Sequence, residues 1–213
     1  MDKNTEWYID EKIKRTKESL EKNNYDVYVV NTKEDAANMV ESIIEKGSTV
    51  SFGGSMSILE CGVLNKLRNG EYNLLDRYKE GLTSEDIGKL FRESFFADYY
   101  LTSTNALTEN GELVNLDGNG NRVAAMIFGP KKVVVIAGIN KIVRDIDEAY
   151  KRVRDEAAPI NAKRLSRKTP CGVTGKCMDC SSPERICNHM VVTYRQNTKN
   201  RGIVILVKED IGY

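Results

Sequence analysis

Residues 131–138, Lys-Lys-Val-Val-Val-Ile-Ala-Gly, are the stretch that decides the fold. A strand with one wetted face alternates apolar and polar residues, because successive side chains point to opposite faces. This run does not alternate, so both of its faces are covered, as in a parallel sheet between layers of helices. Residues 202–208, Gly-Ile-Val-Ile-Leu-Val-Lys, read the same way. Two such strands set the expectation of an α/β protein with a mostly parallel sheet flanked by helices.

Working outward, strands and helices take turns along the chain. Residues 5 to about 23 carry Trp7, Ile9, Ile13 and Leu20 as an intermittent apolar stripe, and Asn23-Asn24 ends that helix. Asp26 to Val30 is β-branched and short, a strand. Thr32 is an N-cap with Asp35 at the capping-box distance, and Gly47 stops the helix that follows. Strands are expected at 48–52, 72–75 and 98–102, with helices after the first and from Thr83 or Ser84 through Phe95. Asn110-Gly111 between Leu107 and Leu113 signals a tight hairpin turn. A short helix falls at 123–128, and Asp145 opens a helix through Ala157, with Pro159 expected beyond its end. Residues 160–189 break the rhythm, with Pro170, Pro183, four cysteines and little apolar content.

The chain of 213 residues is compatible with one domain, and 40% hydrophobic and 30% charged residues suit a folded core with an ordinary wetted surface. A net charge of +1 supplies no global field for nucleic acid or anionic membrane. The cluster Lys163, Arg164, Arg167 and Lys168 reads as a solvated loop rather than a nucleic-acid patch. No run approaches the ~18 apolar residues of a membrane span, and the charged N-terminus lacks an apolar signal core. The expectation is a cytoplasmic protein, where cysteines serve as thiols or ligands rather than disulfides.

Cys171, Cys177, Cys180 and Cys187 are spaced C-x5-C-x2-C-x6-C. Thiolates suit soft or borderline metals, and a short loop brings them together at modest entropic cost. Structural zinc usually shows paired C-x2-C knuckles, of which one is present, whereas a [4Fe–4S] cluster takes four cysteines at irregular spacing. Iron–sulfur is favoured, zinc is the runner-up, and plain thiols or disulfides stay open. His189 could replace a cysteine or sit on the surface, and Cys61 belongs to the core.

The turn Ser51-Phe52-Gly53-Gly54-Ser55-Met56-Ser57 joins a strand to a helix. Glycines let a ligand approach the backbone, and exposed N–H groups at a helix start favour a phosphate or carboxylate. Gly53, Gly54, Ser55 and Ser57 are therefore candidate ligand-binding residues; a serine-capped tight turn explains them equally well. The turn matches neither the P-loop nor the dinucleotide fingerprint, so hydride transfer to NAD has no support. In the polar segment 104–122, Glu109 could act as a general base and Arg122 could clamp an anion.

The residues SFGGSMS, ADYYLTSTNALTENGELVNLDGNGNRV, KKVVVIAGINKIV and GIVILVKEDIG together resemble the LUD domain, over nearly the whole chain. That resemblance implies one LUD domain over 1–213, with the NagB/RpiA/CoA transferase-like fold shared by 5-formyltetrahydrofolate cyclo-ligase. It adds Asn105, Thr108 and Gly111 to the expected ligand site and makes Glu109 the tentative catalytic residue. The family includes the third subunit of the bacterial lactate-utilisation operon. It is linked to oxidation of L-lactate to pyruvate with iron–sulfur partner subunits. The segment at about 165–190 departs from the plain subunit and resembles a subgroup with a four-cysteine metal-binding insert. Three functions follow as expectations: a redox-linked component of lactate oxidation, an isomerase- or transferase-type enzyme with a structural metal, or a non-catalytic subunit. A small anionic organic ligand is expected in each case, with a homo-oligomer left open.

Overall fold

The computed structural model describes residues 2–213. Six parallel strands form the central sheet: β1 (Tyr25–Val30), β2 (Thr49–Phe52), β3 (Asn73–Leu75), β4 (Tyr99–Thr102), β7 (Lys132–Gly138) and β10 (Gly202–Val207), in the order β1-β10-β7-β4-β2-β3. The two apolar runs are its centre. In β7, Val134 and Ile136 enter one core while Val133, Val135 and Ala137 enter the other. In β10, Ile203, Ile205 and Val207 face the first core, and Val204 and Leu206 the second. Double-sided burial is thus the reason the two runs are apolar without a break.

One face is covered by α2 (Lys33–Ile43), α3 (Met56–Glu60) and α4 (Val63–Asn69) through Val40, Ile58 and Leu67. The other is covered by α1 (Lys3–Lys22) through Ile13 and Leu20, and by α6 (Asn121–Ile127) through Ala125 and Met126. Thr32 caps α2 in a reciprocal box with Asp35. Thr83 does the same with Asp86 for α5 (Ser84–Glu93).

A second sheet, in the order β8-β5-β6-β9, adds β5 (Ala106–Thr108), β6 (Leu113–Asp117), β8 (Ile142–Val143) and β9 (His189–Thr193). Leu107 pairs with Leu113 across the predicted hairpin. Gly111 at its tip has φ +84°, and a Cβ there would meet α1 backbone at 2.9 Å. The sheet packs on α7 (Ile146–Arg152) through Ala106, Val114, Ala149 and Val153.

Two sequence expectations need correction. The helix opened by Asp145 does not end before Pro159: a π turn at Val153–Ala157 carries it into α8 (Ala158–Arg164). Proline lacks an N–H and its ring crowds the preceding turn, and a widened π turn relieves both. The stretch after the cysteines also contains a strand, β9, paired antiparallel with β6.

Candidate functional site

Three loops at the carboxyl ends of β2, β4 and β7 enclose a polar pocket of about 400 Å³. That end of a parallel sheet is where ligands usually bind. The β2 loop supplies Gly54, Ser55 and Met56, the β4 loop supplies Ser103, Thr104 and Asn105, and the turn after β7 supplies Lys141. Arg77, Arg122, Lys141, Arg164, Arg167 and Arg185 line the pocket against only Asp117 and Glu184 among the acids. Asp117 is taken up by Arg122 at 3.2 Å, and Glu184 accepts the Lys168 N–H at 2.8 Å. The remaining charge is positive, and a cleft of one sign concentrates the opposite ion. Arg164 and Arg167, read from sequence as a solvated loop, thus face this pocket.

Arg122 lines the pocket but has few donors to spare. Its Nη1 donates to the Ser103 carbonyl at 3.1 Å and to Asn115 Oδ1 at 2.7 Å. Its Nη2 donates to Asn105 Oδ1 and the Leu116 carbonyl, both at 3.0 Å. Arg122 therefore braces the wall and adds charge rather than clamping an anion in bidentate fashion. Arg77 is different: it stacks on Phe91 at 4.7 Å, and its Nη1 would lie 3.4 Å from a Cβ added at Gly54.

The glycine turn splits by role. Gly53 lies below the pocket, where a Cβ would meet Arg122 Cδ and Tyr100 Oη at 3.1 Å. Ser55 caps α3, accepting the Ile58 N–H at 3.4 Å. Ser57 is buried and accepts from Lys141 Nζ at 2.9 Å. Asn105 lines the pocket. Thr108, Glu109 and Gly111 do not: they belong to the hairpin against α1. Thr108 bonds to Glu112, and Glu109 pairs with Arg15 at 2.9 Å. An isomerase-type role for Glu109 needs its carboxylate inside the pocket, and the hairpin points it at α1 instead.

Sequence reasoning missed Lys141. Its side chain is only 2% exposed, and burial, helped by the positive charges of Arg152 and Arg122, pushes the amine down to about 7. A lysine three residues past an almost fully apolar strand was the available signal.

Cys171, Cys177, Cys180 and Cys187 all line a second cavity of about 170 Å³, with Tyr150, Arg154 and Met190 among its other walls. Their thiols are not drawn to one point. Among the described residues, no group of three or more His, Cys, Asp or Glu side chains is set to hold a metal ion. Arg154 Nη2 donates to Cys177 Sγ at 3.5 Å. Arg185 donates to the carbonyls of Cys180 at 2.7 Å and Cys187 at 3.1 Å, and Asp179 ties both arginines together at 3.1 Å. Burial pushes the Cys187 thiol up, against the pull of Arg185. His189 is exposed and lies over Gly120, outside this cavity. Cys61 is a core thiol, pushed up to about 11 by burial. No described helix is long and apolar enough to cross a membrane.

Residues 13–207 match the family model for the LUD domain. A DUF162 family protein from Deinococcus radiodurans superposes with a TM-score of 0.54 at 11% identity, over 94% of this chain and 98% of that one, a likeness of fold alone. Ribose 5-phosphate isomerase from Plasmodium falciparum overlaps 53% of this chain and 52% of its own, at 16% identity and a TM-score of 0.34. Ribose 5-phosphate isomerase A from Neisseria gonorrhoeae overlaps 54% of each chain, at 15% identity and a TM-score of 0.35. Likenesses that faint carry no argument. No curated protein matches the chain.

Proposed function

The chain belongs to the LUD domain family, and from that premise we propose that it is a redox-linked component of lactate utilisation. In this reading the strand-end pocket receives a small hydroxy acid such as L-lactate, and the four cysteines hold a [4Fe–4S] cluster beside it. One observation carries the reading: Leu116, Arg185 and Asn188 line both cavities. A thin wall of side chains thus separates a cationic pocket from a group of four thiols.

The spacing of the four cysteines supports a cluster over a single ion. Structural zinc usually shows paired C-x2-C knuckles, of which this chain has one, whereas a [4Fe–4S] cluster takes four cysteines at irregular spacing. A cluster is larger than an ion and holds its ligands farther apart. Four thiolates also concentrate negative charge, which Arg154 and Arg185 are placed to offset. When bound, the cluster supplies a one-electron acceptor and donor. Oxidation of lactate to pyruvate releases two electrons and two protons, so a partner acceptor would have to take both electrons, one at a time through such a cluster, with the protons released to solvent. Within the chain, Arg77 and Lys141 would hold the carboxylate end of the acid. The braced wall of Arg122, Asn105 and Asn115 would keep the pocket shaped. The partner would be an iron–sulfur subunit.

Purification without oxygen tests this. The expected protein is brown, with broad visible absorbance and roughly four iron atoms per chain, as a four-iron cluster requires. A colourless protein with one tightly held zinc contradicts the redox reading.

A further inference from the structure

Lys141 Nζ sits at the floor of the strand-end pocket, with Ser57 Oγ and Ser103 Oγ each at 2.9 Å and the Thr104 carbonyl oxygen at 3.3 Å. None of these partners is a carboxylate. The groups facing the amine from packed elements are Arg152 of α7, Arg122 of α6, and Glu60 and Cys61 at α3; the arginines and burial outweigh Glu60. A buried cation keeps its charge only when paired. This amine has neutral partners, positive neighbours and an open cavity on one side. Tyr213 brings a further polar group to the same cavity, with Arg164 beside its hydroxyl.

We propose that Lys141, held by Ser57 and Ser103, anchors the oxyanion of a small organic acid, and that the arriving anion draws a proton onto the amine. The ligand class is a carboxylate or phosphate ester small enough for the pocket. The anion is the counter-charge that the fold leaves out. Without it the amine is largely neutral by pH 8; with it the ammonium is paired. Ligand binding and proton binding are therefore coupled through one side chain. This deepens the reading above, since it takes the same pocket as the ligand site, but it asks nothing of the cysteines.

Titration calorimetry on the full chain, in two buffers of different ionisation enthalpy, tests the coupling. The probes are L-lactate, pyruvate, ribose 5-phosphate and inorganic phosphate. For lactate and pyruvate, whose carboxylates stay ionised throughout, binding near pH 8 takes up close to one proton per ligand and near pH 6 close to none, with affinity about tenfold weaker at the higher pH; the phosphates, which titrate near pH 6–7 themselves, are read near pH 8 alone. Lys141→Arg keeps the charge but cannot release the proton, so any binding it retains shows no uptake at either pH. Lys141→Met loses at least about tenfold in affinity. Response to the first two probes alone assigns a carboxylate ligand, and response to the last two a phosphate. The wild-type proton count stands even if a variant fails to fold. Binding without proton uptake near pH 8, or no binding by any probe, overturns the proposal. Proton-coupled binding by a protein free of iron upholds it and sinks the redox reading. An iron-loaded protein that binds without uptake does the reverse.

Discussion

The strand-end pocket and the cysteine cavity share a wall, yet they are built by opposite means. The pocket is made of short loops leaving β2, β4 and β7, strands held in register by their neighbours and buried on both faces. Its wall is held in place before any ligand arrives: Lys141 by two serines, Arg122 by Asn105, Asn115 and backbone carbonyls, with the counter-charge to Lys141 left to the ligand. The cysteine segment has one short helix, α9 (Pro170–Thr174), and then irregular chain to β9. Its order comes from Arg154 and Arg185 bridging to Asp179 and to the cysteines themselves. A site on a sheet is preorganised by the core; a site on irregular chain leans on what it binds.

Several substitutions would break or sharpen that contrast. The largest effect is expected at the cysteines. Cys180→Ser should abolish iron incorporation, as read by metal analysis, while the far-ultraviolet circular dichroism of the sheet domain stays the same. Next comes the core that fixes the pocket. Ile205→Ala, at a fully buried central-strand position, should cost about 2–5 kcal/mol in urea denaturation with iron content unchanged. Arg122→Ala removes the cation paired with Asp117 and a donor to Asn105 in a mostly buried wall, and should cost about 3 kcal/mol.

Lys141→Met gives a pH-dependent result. The folded amine lies near 7, below its ordinary 10.5. As pH falls between those values the unfolded chain gains a proton that the folded chain does not, so wild type loses stability. Below about 7 the loss is complete and constant. The methionine variant should therefore gain on wild type by a few kcal/mol between about pH 10 and about pH 7, checked by melting both across that range. The smallest effect is expected at Glu109→Gln. Its ion pair with Arg15 is half exposed on the arginine side, so the change should stay within about 0.5 kcal/mol and leave probe binding intact.

What the sequence made legible was the part set by local patterning. Unbroken apolar runs at 133–137 and 203–207 announced a sheet covered on both sides. Thr32 with Asp35 announced α2, and Asn110-Gly111 announced the hairpin. The lining of the candidate pocket was half legible. Gly54, Ser55 and Asn105 do line the pocket, because the turn after a parallel strand is a local feature. Lys141 was missed because its burial depends on three strand ends meeting in space. Glu109 was misplaced because a hairpin's polar tip does not reveal which helix it will rest on. Strand β9 escaped because its pairing with β6 spans a long stretch of chain, and its residues are only partly buried.

The proposed function stands on the wall formed by Leu116, Arg185 and Asn188, which line both cavities. The direct measurement is an EPR spectrum of the anaerobically purified, dithionite-reduced protein, recorded with and without saturating L-lactate. A spin-half cluster signal whose line shape changes when lactate is present is the expected result. No cluster signal, or a signal indifferent to lactate, would contradict it.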